Sequence, residues 1–352
     1  MRIRVLIVDD SPVIRRLLRE ALSKEADLEV IGAARDGREA VEMVRALRPD
    51  VVTLDIEMPV MDGLTALREI RRIAPRTRVI MFSTLTEKGA RETIEALSLG
   101  AFDFVTKPKG SSLTQSLQRI KEELIPKIRA AMPRTPAPRL PAPPRPPVFK
   151  PPLVRPGVYA VVGIGISTGG PKALMEVIPR LPGTFPVPVL IVQHMPPMFT
   201  TQLARSLDRL SPLRVKEAQQ GEPVQKGTVY IAPGDYHMEV RASGRTKHIH
   251  LHQGPPENGC RPAVDPLFRS LAETYGGAVV GVVMTGMGHD GREGARKIKE
   301  KGGLVIAQDE KTSTVFGMPR AVIEAGLADL VLPLAEIPSK LQEIFLMRRR
   351  SI

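Results

Sequence analysis

A proline-rich segment in the middle of the chain limits what this sequence can fold into. Residues 133–156 contain eleven prolines and five lysines or arginines. Proline lacks the backbone N–H that helices and sheets need, so this composition favours an extended tether and cannot form a core. A proline-rich ligand for a partner domain is the alternative interpretation. We therefore predict two folding units, 1–125 and 157–352, joined by a helix end and linker at 126–156.

Both units alternate short apolar runs with segments of helical periodicity. In residues 1–125 five such pairs follow one another, from Arg4–Val8 to Phe102–Thr106 and the helix after it. This alternation predicts an α/β fold, with a doubly wound, flavodoxin-like parallel sheet in the first unit and a Rossmann-like one in the second. The second unit also contains an antiparallel hairpin insertion in this prediction. Three runs would build it: Thr228–Ala232, His237–Arg241 and His248–His252.

Charge and hydropathy restrict the class of function. The net charge is +13, but residues 126–156 alone hold seven basic and no acidic side chains. Because the excess is not concentrated on a folded face, nucleic-acid binding is disfavoured. No apolar run approaches the ~20 residues that span a bilayer, so we expect no membrane insertion. The single cysteine, Cys260, suits a reducing cytoplasm, and an incidental or buried thiol is the favoured interpretation for it.

Acidic residues stand at two strand ends of the N-terminal unit. Asp9 and Asp10 follow the first predicted strand, and Asp55 ends the third. These ends are neighbours at the switch point of a 2-1-3-4-5 sheet, where three carboxylates favour a hard cation such as Mg²⁺. Ser83 and Lys107, at the ends of the fourth and fifth strands, are placed to contact a phosphoryl group. Acids that merely cap helices are the alternative interpretation.

This unit resembles the response-regulator receiver family over about residues 3–125. The stretches that carry the resemblance are LIVDDSP, TLDIEMPVMDG, MFSTL and FVTKP. The resemblance implies that Asp55 is the phosphoacceptor. It also implies the roles of the surrounding residues: Asp9, Asp10, Asp55 and the Glu57 backbone carbonyl bind Mg²⁺, Ser83 and Phe104 form a switch pair, and Lys107 contacts the phosphoryl group.

Three residue types used in nucleophilic catalysis follow apolar runs of the C-terminal unit: Ser167, His194 and Asp290. Because the carboxyl ends of parallel strands meet at one sheet edge, a hydroxyl, an imidazole and a carboxylate would gather there. Ser167 stands in a G-x-S-x-G pattern between a strand and a helix, a turn that exposes serine near helix N–H groups. Further acids compete with Asp290 for its role: Asp235, Asp265 and Asp309.

The same segments allow two weaker interpretations. Gly163 and Gly165 fit the first two positions of the dinucleotide pattern G-x-G-x-x-G, but Thr168 stands at the third. Three histidines alternate on one predicted strand and could chelate a soft divalent metal. They are His248, His250 and His252. A solvated polar strand face is the favoured interpretation, because no carboxylate or cysteine stands near them in the sequence.

The C-terminal unit resembles the catalytic domain of the chemotaxis protein-glutamate methylesterases. The matching stretches are GISTGGP, VQHMPPMFT, VYIAPGDYHM, RPAVDPLF, MTGMGHDG and AQDEKTSTVFGMP. The resemblance implies a set of catalytic roles: Ser167 as nucleophile, His194 as general base, Asp290 as its orienter and the Met287 backbone N–H in the oxyanion hole. Ile166 and Cys260 depart from the family pattern, which usually has alanine and a polar or basic residue there.

Together the resemblances imply a cytoplasmic hydrolase that is activated when a chemotaxis histidine kinase supplies a phosphoryl group to the receiver. Its substrates would be glutamate γ-methyl esters on methyl-accepting chemoreceptors, with methanol released, and the same acyl chemistry would deamidate specific receptor glutamines. Mg²⁺ would serve receiver phosphorylation only, and ester hydrolysis would need no cofactor. Two rival classes remain open: a DNA-binding response regulator, and a phosphate-dependent docking module whose triad is inert.

Overall fold

The computed structural model describes residues 2–108, 113–132 and 158–346. The chain divides into two compact units, residues 1–139 and residues 140–352. The proline-rich stretch 133–156 lies outside the described residues, so the tether remains a prediction. None of the described helices combines the length and the apolar composition that crossing a lipid bilayer requires.

The first unit contains five strands: β1 (Ile3–Val8), β2 (Leu28–Ala34), β3 (Val51–Asp55), β4 (Arg78–Ser83) and β5 (Asp103–Thr106). Its helices are α1 (Pro12–Ser23), α2 (Gly37–Leu47), α3 (Gly63–Ile73), α4 (Glu87–Ser98), α5 (Leu113–Arg119) and α6 (Ile125–Ala131). The strands form one parallel sheet in the order β2-β1-β3-β4-β5. The predicted doubly wound order is confirmed, and it makes the ends of β1 and β3 neighbours.

Capping side chains begin four helices of this unit. Ser11, Asp36, Asp62 and Thr86 each accept a hydrogen bond from a backbone N–H in the first turn. Such caps satisfy donors that have no partner within the helix. They also fix where each strand–helix loop ends, and these loops line the sheet edge that carries the acidic residues.

The single helix predicted after Phe102–Thr106 is interrupted in the structure. A π-helical turn, Ile120–Leu124, separates α5 from α6. Pro126 stands in the first turn of α6. Because proline donates no backbone hydrogen bond, the regular i→i−4 ladder cannot continue through that position.

The second unit contains nine strands within its described residues. They are β6 (Val161–Ile166), β7 (Val189–Gln193), β8 (Arg214–Glu217), β9 (Thr228–Ile231), β10 (His237–Ser243), β11 (Thr246–His252), β12 (Val279–Val283), β13 (Leu304–Gln308) and β14 (Leu330–Leu332). The helices are α7 (Gly170–Val177), α8 (Phe199–Leu210), α9 (Val264–Tyr275), α10 (Arg292–Glu300), α11 (Met318–Glu324) and α12 (Ile337–Leu346). Two short 3₁₀ turns accompany them, at Ile178–Arg180 and Leu334–Glu336.

Seven of these strands form a parallel sheet in the order β14-β13-β12-β6-β7-β9-β8. The antiparallel hairpin insertion is confirmed as β10 and β11, which pair from His237 with His252 to Ser243 with Thr246. The assignment of Thr228–Ala232 to that insertion is wrong, because β9 lies inside the parallel sheet. All four residues of β9 are buried, as a strand covered on both faces requires.

Close packing fixes α9 against the centre of this sheet. A Cβ at Gly163 in β6 would lie 2.7 Å from a Leu271 methyl group and 3.0 Å from the Phe268 ring. Phe268 and Leu271 are both fully buried on α9. Because only glycine allows this approach, it sets the position of α9, whose first residues reach the edge of the sheet described next.

Candidate active site and acidic cluster

The sheet order brings the predicted catalytic residues to one edge. Ser167 follows β6 and His194 follows β7, while Asp290 lies in the loop between β12 and α10. β6 pairs with both β7 and β12, so the three loops are adjacent. The chain runs from β6 to β7 on one side and from β12 to β13 on the other, which makes this edge a switch-point crevice of the kind that holds ligands in α/β folds.

The turn around Ser167 is braced by backbone contacts. The Ser167 N–H donates to the Thr285 carbonyl at 3.0 Å, and the Ser167 carbonyl accepts from the Gly170 N–H at 2.7 Å. A Cβ at Gly286 would lie 2.8 Å from the Ser167 Cβ, so glycine is needed for the two loops to meet. Ser167 remains half-buried at the edge of the sheet.

Backbone donors without acceptors surround this turn. Within the described part of the chain, the N–H groups of Thr168, Gly169 and Met287 make no hydrogen bond. Thr168 and Gly169 directly precede α7, whose N-terminus carries a partial positive charge. Free N–H groups beside a serine are what an oxyanion hole requires.

His194 and Asp290 form a direct pair. The His194 Nε2 lies 2.7 Å from the Asp290 Oδ2, and the imidazole is only 11 % exposed. Burial alone lowers the pKa of His194, but hydrogen bonds with Asp290 and with Cys260 outweigh burial and raise that pKa to about 10. His194 therefore holds a proton at neutral pH in this arrangement.

The Asp290 carboxylate is saturated with donors. Besides His194, it accepts backbone hydrogen bonds from Val264 at 2.6 Å, Asp265 at 3.1 Å and Gly291 at 2.9 Å. Val264 and Asp265 are the first residues of α9, so the charge also lies at a helix N-terminus. Burial alone raises the pKa of Asp290, but the bond with His194 and these donors lower it overall.

Three residues of this site were not predicted from the sequence. Gln193, at the end of β7, donates from Nε2 to the carbonyls of Ser167 at 3.1 Å and His194 at 3.2 Å. Asn258 donates to the Asp290 carboxylate at 2.8 Å. Cys260 is half-buried and places its Sγ 3.5 Å from the His194 Nδ1, a contact that the interpretation of a buried or incidental thiol did not foresee. The only sequence signal for Cys260 was its departure from the family pattern.

The competing acids lie in three different environments. Asp265 is buried beside Asp290 and shares Asn258 with it, through a 2.9 Å bond. Asp235 instead pairs with Arg261 at 2.6 Å. Asp309 accepts from Thr312. Of the four acids considered, Asp290 alone contacts His194 among the described residues.

The histidine strand offers no assembled metal site in the described residues. His252 lies 3.3 Å from Glu239, while His248 contacts Thr246 and the Gly221 carbonyl. Within those residues, just one group brings three ligand atoms of His, Cys, Asp or Glu within 4.8 Å of one another. That group is Asp9, Asp10 and Asp55 of the first unit.

A buried cation–carboxylate cluster holds the acidic residues of the first unit. Lys107 places its Nζ 2.8 Å from Asp9 and 2.7 Å from Asp55. Burial raises the pKa of Asp55 to about 6, the Lys107 hydrogen bond opposes this, and the Asp9 charge adds to it. Burial likewise raises the pKa of Asp9. Negative charge in this cluster is thus only partly compensated.

The remaining predicted residues of this cluster lie around it. Ser83, fully buried at the end of β4, donates to the Gly89 carbonyl at 3.2 Å. Phe104 is buried in β5, under the Lys127 ammonium group 5.2 Å from its ring centre. Glu57 lies just beyond β3, and its carboxylate pairs with Lys88 at 2.7 Å.

Comparison with known proteins agrees with this geometry. Residues 162–341 match the CheB methylesterase family, and residues 5–118 match the response regulator receiver domain. A protein-glutamate methylesterase/protein-glutamine glutaminase from a Nocardioides species is 48 % identical over 99 % of this chain and 97 % of its own length. The chain belongs to this methylesterase family. A Thermotoga maritima relative of the same name is 49 % identical over 97 % of this chain and 98 % of its own.

A solved structure from the methylesterase family shares the second unit's fold. The match to the crystal structure of the Thermotoga maritima CheB methylesterase catalytic domain covers 53 % of this chain and 98 % of the crystallised chain. The two are 50 % identical, with a TM-score of 0.52. The second unit is therefore not the helical DNA-binding effector that the sequence left open.

We expect Asp55→Asn to stabilise this methylesterase at neutral pH and not in acid. The folded pKa of about 6 exceeds the ordinary 3.8, so ionisation costs the folded state free energy above about pH 6 and nothing below about pH 4. Asparagine removes this cost, which is up to about 3 kcal/mol. Thermal unfolding midpoints across this pH range measure the effect, with the exposed Glu42→Gln as control. A difference independent of pH would contradict the prediction.

We expect His194 to remain protonated well above neutral pH, because the Asp290 and Cys260 contacts raise its pKa from 6.5 to about 10. Histidine-selective NMR titration of the full chain measures this, and the resonance is assigned by its loss in His194→Gln. Five other histidines provide internal references. A His194 resonance that titrates near 6.5 would refute the assigned contacts.

Proposed function

We propose that the chain hydrolyses glutamate γ-methyl esters on methyl-accepting chemoreceptors, releasing methanol, and that receiver phosphorylation activates it. The adjacent hydroxyl, imidazole and carboxylate at the ends of β6, β7 and β12 carry this proposal, in a chain of the methylesterase family. The same acyl chemistry would deamidate specific receptor glutamines. In this proposal the chain consists of a receiver domain at 1–125, a helix end and linker at 126–156 and a catalytic domain at 157–352.

In the proposed mechanism, Ser167 attacks the ester carbonyl and His194 takes the serine proton. Because Nε2 is bonded to Asp290, Nδ1 is the nitrogen that must take this proton. The unpaired N–H of Met287, with those of Thr168 and Gly169, would stabilise the oxyanion. His194 then protonates the departing methanol, and water releases glutamate by the same steps. Since the base must first be neutral, activity should rise into the alkaline range.

The receiver's acidic cluster suits Mg²⁺ as well as phosphorylation at Asp55. Three carboxylates lie within 4.8 Å of one another, and hard oxygen donors are what Mg²⁺ prefers. The raised pKa values of Asp9 and Asp55 point to uncompensated charge that a cation would relieve. Asp9, Asp10, Asp55 and the Glu57 carbonyl would hold the ion, whose role is to neutralise phosphoryl charge.

The other receiver residues would respond to phosphorylation of Asp55. Lys107, already paired with Asp55, would contact the phosphoryl group, and Ser83 and Phe104 would form the switch pair. A chemotaxis histidine kinase is the proposed phosphodonor and the cytoplasm the proposed location. Neither nucleic-acid binding nor a cofactor for ester hydrolysis is part of the proposal.

Ser167→Ala should abolish ester hydrolysis without unfolding the protein, because it removes one hydroxyl at a half-buried turn. A loss of at least about a thousandfold is expected for a nucleophile. Methanol release from methylated receptor membranes measures activity, and the thermal unfolding midpoint reports the fold. Ser206→Ala, in α8, is the matched control. Turnover near wild type in Ser167→Ala would refute the nucleophile assignment, whereas a wild-type chain that releases no methanol would favour an inert docking module.

Phosphorylation should occur at Asp55, require Mg²⁺ and raise methanol release by the full chain. A small-molecule phosphodonor supplies the labelled group. Release of the protein-bound label by alkali and by hydroxylamine, as well as by acid, identifies an acyl phosphate. Asp55→Ala should lose both label and activation while keeping the basal rate. Label that persists in Asp55→Ala, or labelling that does not depend on Mg²⁺, would contradict the assignment.

A further inference from the structure

One four-residue turn reaches both members of the His194–Asp290 pair. Glu257 and Cys260 exchange backbone hydrogen bonds of 3.1 and 2.9 Å across the turn. Asn258 and Gly259 between them have φ values of 52° and 75°. This left-handed pair favours an Asn-Gly sequence, which makes the turn tight and rigid. The turn ends are therefore held at a fixed spacing.

An ion pair fastens this turn to α9. The Glu257 carboxylate accepts two hydrogen bonds from the Arg269 guanidinium, at 2.6 and 2.9 Å. Such a bidentate geometry restrains orientation as well as distance. Since α9 also presents its first N–H groups to Asp290, turn and carboxylate are fixed to the same helix.

Asn258 offsets the repulsion between two buried carboxylates beside the His194–Asp290 pair. Its Nδ2 donates to Asp290 at 2.8 Å and to Asp265 at 2.9 Å, so one amide bridges two buried carboxylates. Burial raises the pKa of Asp265, and the neighbouring Asp290 charge adds to this rise. Without the bridge, repulsion would push the Asp290 carboxylate away from its position against His194.

Cys260 occupies the other side of the imidazole. Its Sγ lies 3.5 Å from Nδ1, the nitrogen left after Nε2 bonds Asp290. A general base in this arrangement must use Nδ1 to take the Ser167 proton. The thiol and the serine hydroxyl therefore compete for one nitrogen, and Cys260 must release it before the serine can react.

We propose that the turn Glu257–Cys260 is a positioning element of the hydrolase, holding the carboxylate through Asn258 and the imidazole through Cys260. The inference rests on the roles proposed above for Ser167, His194 and Asp290. A turn that only connected β11 to α9 would need neither side chain. Here both point inward to the pair, while the ion pair of Glu257 supplies the structural anchor.

Asn258→Gly tests the amide without straining the backbone, because glycine accepts the positive φ. Loss of a hydrogen bond to a charged group should lower kcat for methanol release by about ten- to a hundredfold, with KM little changed. Gly244→Asn, at the exposed turn between β10 and β11, controls for turn substitution. A wild-type kcat in Asn258→Gly overturns the proposal.

Cys260→Ala and Cys260→Ser test the thiol by pH dependence. Removing the Nδ1 contact should move both the His194 NMR titration and the low-pH limb of kcat/KM toward lower pH by about one unit. Serine keeps an acceptor for the protonated Nδ1 at this position and should give a smaller shift. If Cys260 only packed against its neighbours, its replacement would lower the stability of the protein without moving the His194 titration or the kcat/KM profile. Superimposable titrations of wild type and Cys260→Ala overturn the proposal.

The same assays separate this inference from the proposed function. If Ser167→Ala is inactive and the Asn258 and Cys260 variants behave as wild type, the catalytic roles stand and the positioning role of the turn fails. If Ser167→Ala retains activity, the catalytic roles fail. In that case the NMR titration still reports whether Cys260 holds the His194 imidazole.

Discussion

The buried charge of Asp290 is the constraint around which the second unit's active edge is organised. It accepts five hydrogen bonds, from the loop after β12, from the start of α9, from Asn258 and from His194. A buried carboxylate without such donors would cost several kcal/mol or take up a proton. Four of the five donors come from segments distant in sequence, so satisfying this one charge fixes the relative positions of two loops, a helix and the base.

Asp55 of the first unit is also a buried carboxylate, but it has few hydrogen-bond donors. Its donors are Lys107 and the Ile56 N–H, and Asp9 stands close enough to repel it. The resulting rise in pKa means that the charged form of Asp55 is destabilised. A bound cation or the transfer of a phosphoryl group would change this balance. Asp290, which has many hydrogen-bond donors, holds the geometry of its site. Asp55, which has few, is able to respond to chemistry. The supply of donors around each carboxylate creates this contrast.

The sequence predicted the elements well and the contacts between loops poorly. Apolar runs located the strands before Ser167 and His194, because strands of a parallel sheet covered on both faces are continuously apolar. The same rule did not reveal that β9 joins that sheet, since strand order depends on packing across the whole unit. The contacts of Cys260 and Asn258 with the site were not predicted, because their partners lie 66 and 32 residues away and only the folded loops bring them together.

Gln193 explains why the serine and the base are held together by the backbone and not by their side chains. Its amide donates to the main-chain carbonyls of Ser167 and His194, and its Oε1 lies so close to Gly170 that a Cβ there would clash. This brace, buried at the end of β7, fixes the backbone positions of nucleophile and base. With the backbones held, exchange of the partner at the His194 Nδ1, from the Cys260 thiol to the Ser167 hydroxyl, is a side-chain step in the proposed mechanism.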